Sequence, residues 1–261
     1  MAFIRRNIIW VLFVALALGE IGYFVYLKTS GPVKEKGAVT LENIAADAAL
    51  VNENPWELSA EIKAVPQPDI SAKVSAPSRY PEFYRASMEG KMEAATTLLK
   101  ETPYDFTAWA SYAILLENFD AFTKAEEIWK YLVVVRPEES FYHSRLAAVY
   151  HFSLKDYVKA EASYKNTLAL NNKQVDVYHS FHDLYKFIYT KDLRKAVAVI
   201  EEGLTHNKEN LELLAIAAQD YRELGDLKKA AAYYTQAIAA ATAAGNYGLV
   251  EQLKNDKASL K

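Results

Sequence analysis

The sequence contains no cysteine. That absence removes disulfides, thiolate zinc sites, iron-sulfur clusters, thiol nucleophiles and lipidated cysteines from the available chemistry. Its nine glycines are dispersed. No Gly-x-Gly pair and no Walker spacing occurs, so there is no glycine-rich backbone cradle for phosphate. A Gly-x-Ser-x-Gly elbow and a His-Glu-x-x-His helix are missing too, which leaves the common hydrolase chemistries without nucleophile or metal. Charge of one sign is also lacking. Thirty Lys and Arg stand against 33 Asp and Glu, a net charge of -3 with no long single-sign run. The electrostatic footprint of a nucleic-acid binder is therefore not present.

What the chain does have is apolar bulk: 51% hydrophobic residues with 18 Tyr and 11 Phe in 261 positions, enough for a packed core. Part of it is concentrated near the N-terminus. After a short tail (1–7) carrying Arg5 and Arg6, residues 8–28 are apolar apart from Glu20 and the closing Lys28. About 20 helical residues reach roughly 30 Å, the thickness of a bilayer's hydrocarbon core. About a dozen Leu, Ile, Val and Phe at roughly -0.3 to -0.6 kcal/mol each outweigh one off-centre carboxylate at about +3 or less. The expectation is a single transmembrane signal-anchor helix over 8–28. A cleaved signal peptide is the rival, with Ala17 and Gly19 before the cut, but apolar character resumes at once in Ile21, Phe24 and Val25. Arg5 and Arg6 adjoin the membrane more closely than Lys34 and Lys36, so the positive-inside rule puts the N-terminus in the cytoplasm and the remainder in an extracytoplasmic space. Ala15 and Gly19 form a small-xxx-small pair, a weak contact for a homodimer of anchors.

Residues 29–80 read as a flexible, proline-containing linker, with Pro32, Pro55, Pro66, Pro68 and Pro77 among small and charged residues. A short amphipathic helix fits at 41–51. Past Pro81 the pattern becomes helical throughout. Trp109, Tyr112, Ala113 and Leu116 share one helix face; Ala125, Trp129 and Pro137 follow at the steps of a second helix and its exit. The frame recurs with His143, Leu146, Ala147 and Tyr150 leading to Ala160 and Tyr164. It recurs again with Tyr178, Phe181, His182 and Tyr185 leading to Ala196 and Ile200, and with Leu214, Ala217, Ala218 and Tyr221 leading to Ala230 and Tyr234. Frame openings are spaced by 34, 35 and 36 residues. A small residue such as Ala113 or Ala125 is needed where two antiparallel helices come closest, and a large aromatic then fills the space toward the next hairpin.

This frame resembles the tetratricopeptide repeat, a helix-turn-helix unit of about 34 residues, over roughly residues 84–261. The resemblance implies an all-α fold: a right-handed α-solenoid of helical hairpins. Its units fall at 106–138, 140–173, 175–209 and 211–244, preceded by a partial unit at 81–104 with its turn at Gly90, Lys91 and Met92, and followed by a capping helix at 246–261. Two departures stand out. The inter-helix turn is one residue longer in the second unit and two longer in the third, and His182 occupies a slot where the family prefers a small residue.

The resemblance further implies a concave groove lined by the first helix of each unit. Helical spacing then proposes Ala110 and Ile114; Ser144, Arg145, Ala148 and His151; His179, Asp183 and Lys186; and Ala215, Gln219 and Arg222. Members that clamp a C-terminal carboxylate use Lys and Asn where this chain has Ala110 and Ile114. Arg145, Lys186 and Arg222 instead suit acidic side chains of an extended peptide. His179, His182 and Asp183 share a helix and could meet a metal, yet no second ligand pair accompanies them. The sequence thus points to a membrane-anchored scaffold that binds a protein or extended peptide, uses no cofactor and catalyses nothing, active in envelope, secretion or appendage assembly. A cytosol-facing docking receptor or co-chaperone is the second reading and a metal-dependent enzyme the third.

Overall fold

The computed structural model describes residues 58–260. The expected anchor at 8–28, the Ala15 and Gly19 pair and the linker as far as residue 57 lie outside the described residues. Among the described residues there is no strand, and no helix is long and apolar enough to cross a membrane. The chain divides into two compact units after Val135.

The first unit contains α1 (Ala60–Ala64), α2 (Glu82–Glu101), α3 (Phe106–Asn118) and α4 (Phe122–Val135). The turn expected at Gly90 does not form; α2 runs unbroken through it. A single interior glycine costs only about 1 kcal/mol against alanine, and Met88, Met92, Ala95 and Leu99 bury a continuous stripe that holds the helix straight through. Residues 66–80, which composition places in the flexible linker, belong to the folded unit. They run as an extended strap, with Pro66, Pro68 and Pro77 each fixing one backbone dihedral. Gln67 Nε2 donates to Pro103 O at 2.8 Å, Ala76 N donates to Glu89 Oε1 at 3.4 Å, and Arg79 pairs with Asp120, with Nη2 3.0 Å from Oδ1. Ala76 is buried.

The second unit holds three hairpins and a final helix: α5 (Ser140–Ala148) with α6 (Tyr157–Leu170), α7 (Val175–Asp183) with α8 (Leu193–His206), α9 (Leu211–Glu223) with α10 (Leu227–Ala243), then α11 (Tyr247–Ala258). Val250 and Leu253 of α11 are buried, and Lys257 Nζ donates to Thr235 Oγ1 of α10 at 2.8 Å. Second helices begin on aspartates, Asp156, Asp192 and Asp226, whose carboxylates accept backbone N–H groups of the first turn.

The frame alanines occupy the helix crossings. Ala113 and Ala125 in the first unit are fully buried, as are Ala147, Ala160, Ala196, Ala218 and Ala230 in the second. In every hairpin the last frame residue of the first helix, or of the π turn that extends it, accepts a backbone bond from the residue that opens the second. Ala121 N donates to Leu116 O, Asp156 N to Tyr150 O, Asp192 N to Tyr185 O and Asp226 N to Tyr221 O, all at 2.9–3.0 Å. The separations are five, six, seven and five residues. The longer turns seen in the sequence are thus absorbed before this bond closes, as π-helical turns at Val149–Leu154 and Leu184–Ile188. Directly before the residue that opens each second helix stands one left-handed residue: Asp120, Lys155, Lys191 or Gly225.

Gly203 of α8 has a different purpose from Gly90. A Cβ at position 203 would come within 2.9 Å of Tyr178 Cγ and 3.1 Å of Leu213 Cδ1, whereas one at position 90 meets nothing within 4 Å. Gly90→Ala is expected to raise stability by about 0.5–1 kcal/mol. Gly203→Ala, the same exchange in another helix, is expected to lower it by about 1–3 kcal/mol through overpacking. Urea denaturation of the two variants checks both signs.

Candidate protein-binding groove

Between α5 and α7 lies an open pocket of about 360 Å³. Ser144, Arg145 and Ala148 of α5 form one wall, Asp176 and Ser180 of α7 the other, and Tyr164 of α6 the back. Tyr164 is 2% exposed; burial pushes its hydroxyl well above the ordinary tyrosine range, with the Ser180 hydrogen bond opposing. It makes a 2.9 Å hydrogen bond with His151 Nδ1.

Helical spacing from Ser144 and Ala148 puts His151 on this groove. The structure buries it completely. The π turn that starts at Val149 advances less per residue than an α-helix, so His151 turns inward and Phe152, 52% exposed, takes the outer position. The two rings stack with centroids 3.9 Å apart. Burial and the positive charge of Lys155 depress the His151 pKa to about 4 against the opposing pull of Asp183, and its Nε2 is buried with no hydrogen-bond partner.

Of the other residues expected here, His179 engages α9, while Asp183 pairs with His179 and His182 on its own helix. His179 Nδ1 is 2.7 Å from Glu212 Oε1. His182 is 3% exposed, with Nδ1 2.9 Å from Asp183 Oδ1 and Nε2 2.8 Å from Asp220 Oδ2. Lys186, on the π turn that extends α7, donates to Asp220 Oδ1 at 2.6 Å and pairs with Glu223 at 2.9 Å. Burial works against its charge, but hydrogen bonds to Asp220 and Glu223 outweigh it and raise the pKa. Lys186 is therefore occupied within the protein, which corrects its expected role toward an acidic peptide. Gln219 and Arg222 are exposed on α9, while Ala110 in the first unit is buried.

Asp220, 1% exposed, is the residue that sequence reasoning missed. Its signal was indirect: a histidine at a slot that elsewhere holds alanine needs a polar partner, and Asp220 stands one position past the groove stripe on the facing helix. Both ring nitrogens of His182 are taken up by carboxylates, and among the described residues no group of three or more His, Asp and Glu is arranged to hold a metal ion.

No protein-family model matches the sequence, and no curated protein matches it. Solved structures do. A crystal structure of MamA is 17% identical and covers 64% of this chain and 95% of that one, with a TM-score of 0.52. A second MamA structure, also 17% identical, covers 64% and 89% with a TM-score of 0.51. The chain has the tetratricopeptide-repeat fold. At this identity the likeness is one of architecture. It agrees with the repeat frame, in which each tetratricopeptide hairpin buries its small residues at the crossing.

Two measurements follow from the buried polar groups. Asp220→Ala removes the buried carboxylate that His182 and Lys186 share and leaves them only Asp183 and Glu223, and is expected to lower stability by about 1–3 kcal/mol, read from urea unfolding at neutral pH. A depressed histidine pKa gives stability that is complete above the unfolded value of about 6.5 and lost as pH falls toward 4. The urea midpoint is expected to fall across that window, with a shallower slope in His151→Gln.

Proposed function

We propose that this chain is a membrane-anchored scaffold that holds another protein through the faces of α5, α7 and α9. The observation that carries the reading is the pocket between α5 and α7, lined in part by Phe141, together with the half-exposed Phe152 and Phe187 on the π turns that follow these two helices. Phe141, Phe152 and Phe187 are 44%, 52% and 57% exposed, although the fold buries its large frame aromatics almost entirely. Aromatic side chains displayed beside a concave polar site are the usual anchors of protein recognition. A tetratricopeptide array offers such a face from first helices that are already rigid, so an extended segment loses little more than its own freedom on binding.

Placement is proposed from the sequence. Residues 8–28 supply the anchor, Arg5 and Arg6 favour a cytoplasmic N-terminus, and the groove then works outside the cytoplasm in envelope, secretion or appendage assembly. Ala15 and Gly19 supply a weak contact between anchors. Lys28, Lys34 and Lys36 favour the reverse topology, which makes the protein a cytosol-facing docking receptor. The role is binding and not catalysis.

Ser71 lies exposed on the strap, and the chain has no native cysteine, so Ser71→Cys gives a single thiol. Treating intact cells with a membrane-impermeant maleimide is expected to label it; protection until the membrane is opened reverses the topology. A photo-crosslinking residue at Ala148, in the pocket, is expected to give a protein adduct that the same residue at Val158 does not. Val158 is 64% exposed on α6. Equal yields at the two positions sink the groove.

A further inference from the structure

Each π turn carries a phenylalanine at the same step from its frame tyrosine. Phe152 follows the frame residue Tyr150 by two positions, and Phe187 follows Tyr185 by two. At the same step the hairpins without a π turn carry Asn118 and Glu223. Neither ring is loose. Phe152 stacks on His151. Phe187 has the Lys186 ammonium 5.3 Å from its centroid, and the His182 ring meets it edge to face at 6.3 Å. Such rings bind at small entropic cost because they are already positioned.

Charge along α7 and α9 is unequal. Asp183 and Glu212 lie against His179, and Asp220 and Glu223 hold the Lys186 ammonium, with Glu223 about 16 Å beyond Glu212 along α9; four carboxylates thus line α7 and α9 against Lys186 and the exposed Arg222. Asp220 is buried, but the side chains of Asp183, Glu212 and Glu223 are 37%, 51% and 58% exposed. A carboxylate accepts roughly four hydrogen bonds, so each keeps acceptor capacity toward solvent after its internal contact. Lys186, which sequence spacing offered to an acidic ligand, is neutralised from beneath.

We propose that the segment bound by this face is cationic and carries apolar side chains, which rest on Phe152 and Phe187 while its Lys or Arg residues meet Asp183, Glu212 and Glu223. This rests on the groove reading above and adds the chemistry of the partner. Complementary charge speeds encounter and excludes wrong ligands, and the two rings supply the desolvated contact that sets the residence time.

The test uses the full chain in nanodiscs of zwitterionic lipid and short, extended, fluorescent peptides read by anisotropy against empty nanodiscs. One peptide carries two leucines among Lys and Ser; a second replaces each Lys by Glu. The lysine peptide is expected to bind about tenfold or more tighter than the glutamate peptide, and to weaken several-fold between about 0.1 M and 0.5 M salt. Phe152→Ala with Phe187→Ala is expected to weaken it about tenfold. Glu212→Gln with Glu223→Gln is expected to weaken it several-fold and flatten the salt dependence, and Val158→Ala to change nothing. Tighter binding of the glutamate peptide, lost in the double phenylalanine variant, would overturn the charge inference and leave the groove standing. Binding of the lysine peptide that ignores Glu212→Gln with Glu223→Gln would do the same. Binding indifferent to Phe152→Ala with Phe187→Ala, or no binding of either peptide, would overturn both.

Discussion

One backbone hydrogen bond per hairpin holds the frame in register. It runs from the residue that opens the second helix to the carbonyl of the last frame residue before the turn, from Asp226 N to Tyr221 O for example. Four residues beyond the donor stands the alanine of the crossing: Ala125, Ala160, Ala196 or Ala230. Because that step is constant, residues inserted ahead of the donor cannot shift the crossing. They have to be accommodated in the end of the first helix, and the backbone does this by widening into a π turn.

Widening has a cost in polar groups. His151, turned inward by the first π turn, needs a partner, and so does His182, which stands at the core slot of α7 just ahead of the second. His151 finds the Tyr164 hydroxyl and is held neutral by burial. His182 finds Asp183 and Asp220, and through Asp220 it shares a carboxylate with Lys186. The second arrangement ties α7 to α9 across neighbouring hairpins. In a stacked array stability is roughly the sum of each hairpin and its contacts with the next, so a buried ionic contact between neighbours makes the two hairpins one cooperative element.

The hairpin frame was legible because each crossing demands a small residue and each gap an aromatic, and both recur at helical steps from Trp109 to Tyr234. Arg145 and Ala148 were legible as pocket residues for the same reason: α5 is regular up to Ala148, and regular helices obey their spacing. His151 was not, because nothing in composition marks where an α-helix widens, and one added residue exchanges the inner and outer positions. The strap was misread as linker because its prolines signal irregular backbone without saying whether that backbone is held; Gln67, Ala76 and Arg79 hold it through partners 13 to 41 residues away. Gly90 read as a turn because one glycine resembles punctuation, while the buried stripe from Met88 to Leu99 decides in favour of a helix.

The insertions also separate two properties that repeat proteins usually change together. An α-helix turns roughly 100° per residue, so one extra residue ahead of the closing bond re-aims everything between Ala148 and Asp156 while Ala160 keeps its place. A hairpin of this kind can acquire a new outer side chain by gaining a residue, with no substitution in its core and no change in how it stacks. Phe152 and Phe187 occupy such positions, which makes the length of the turn a way of writing on the outer face of the hairpin.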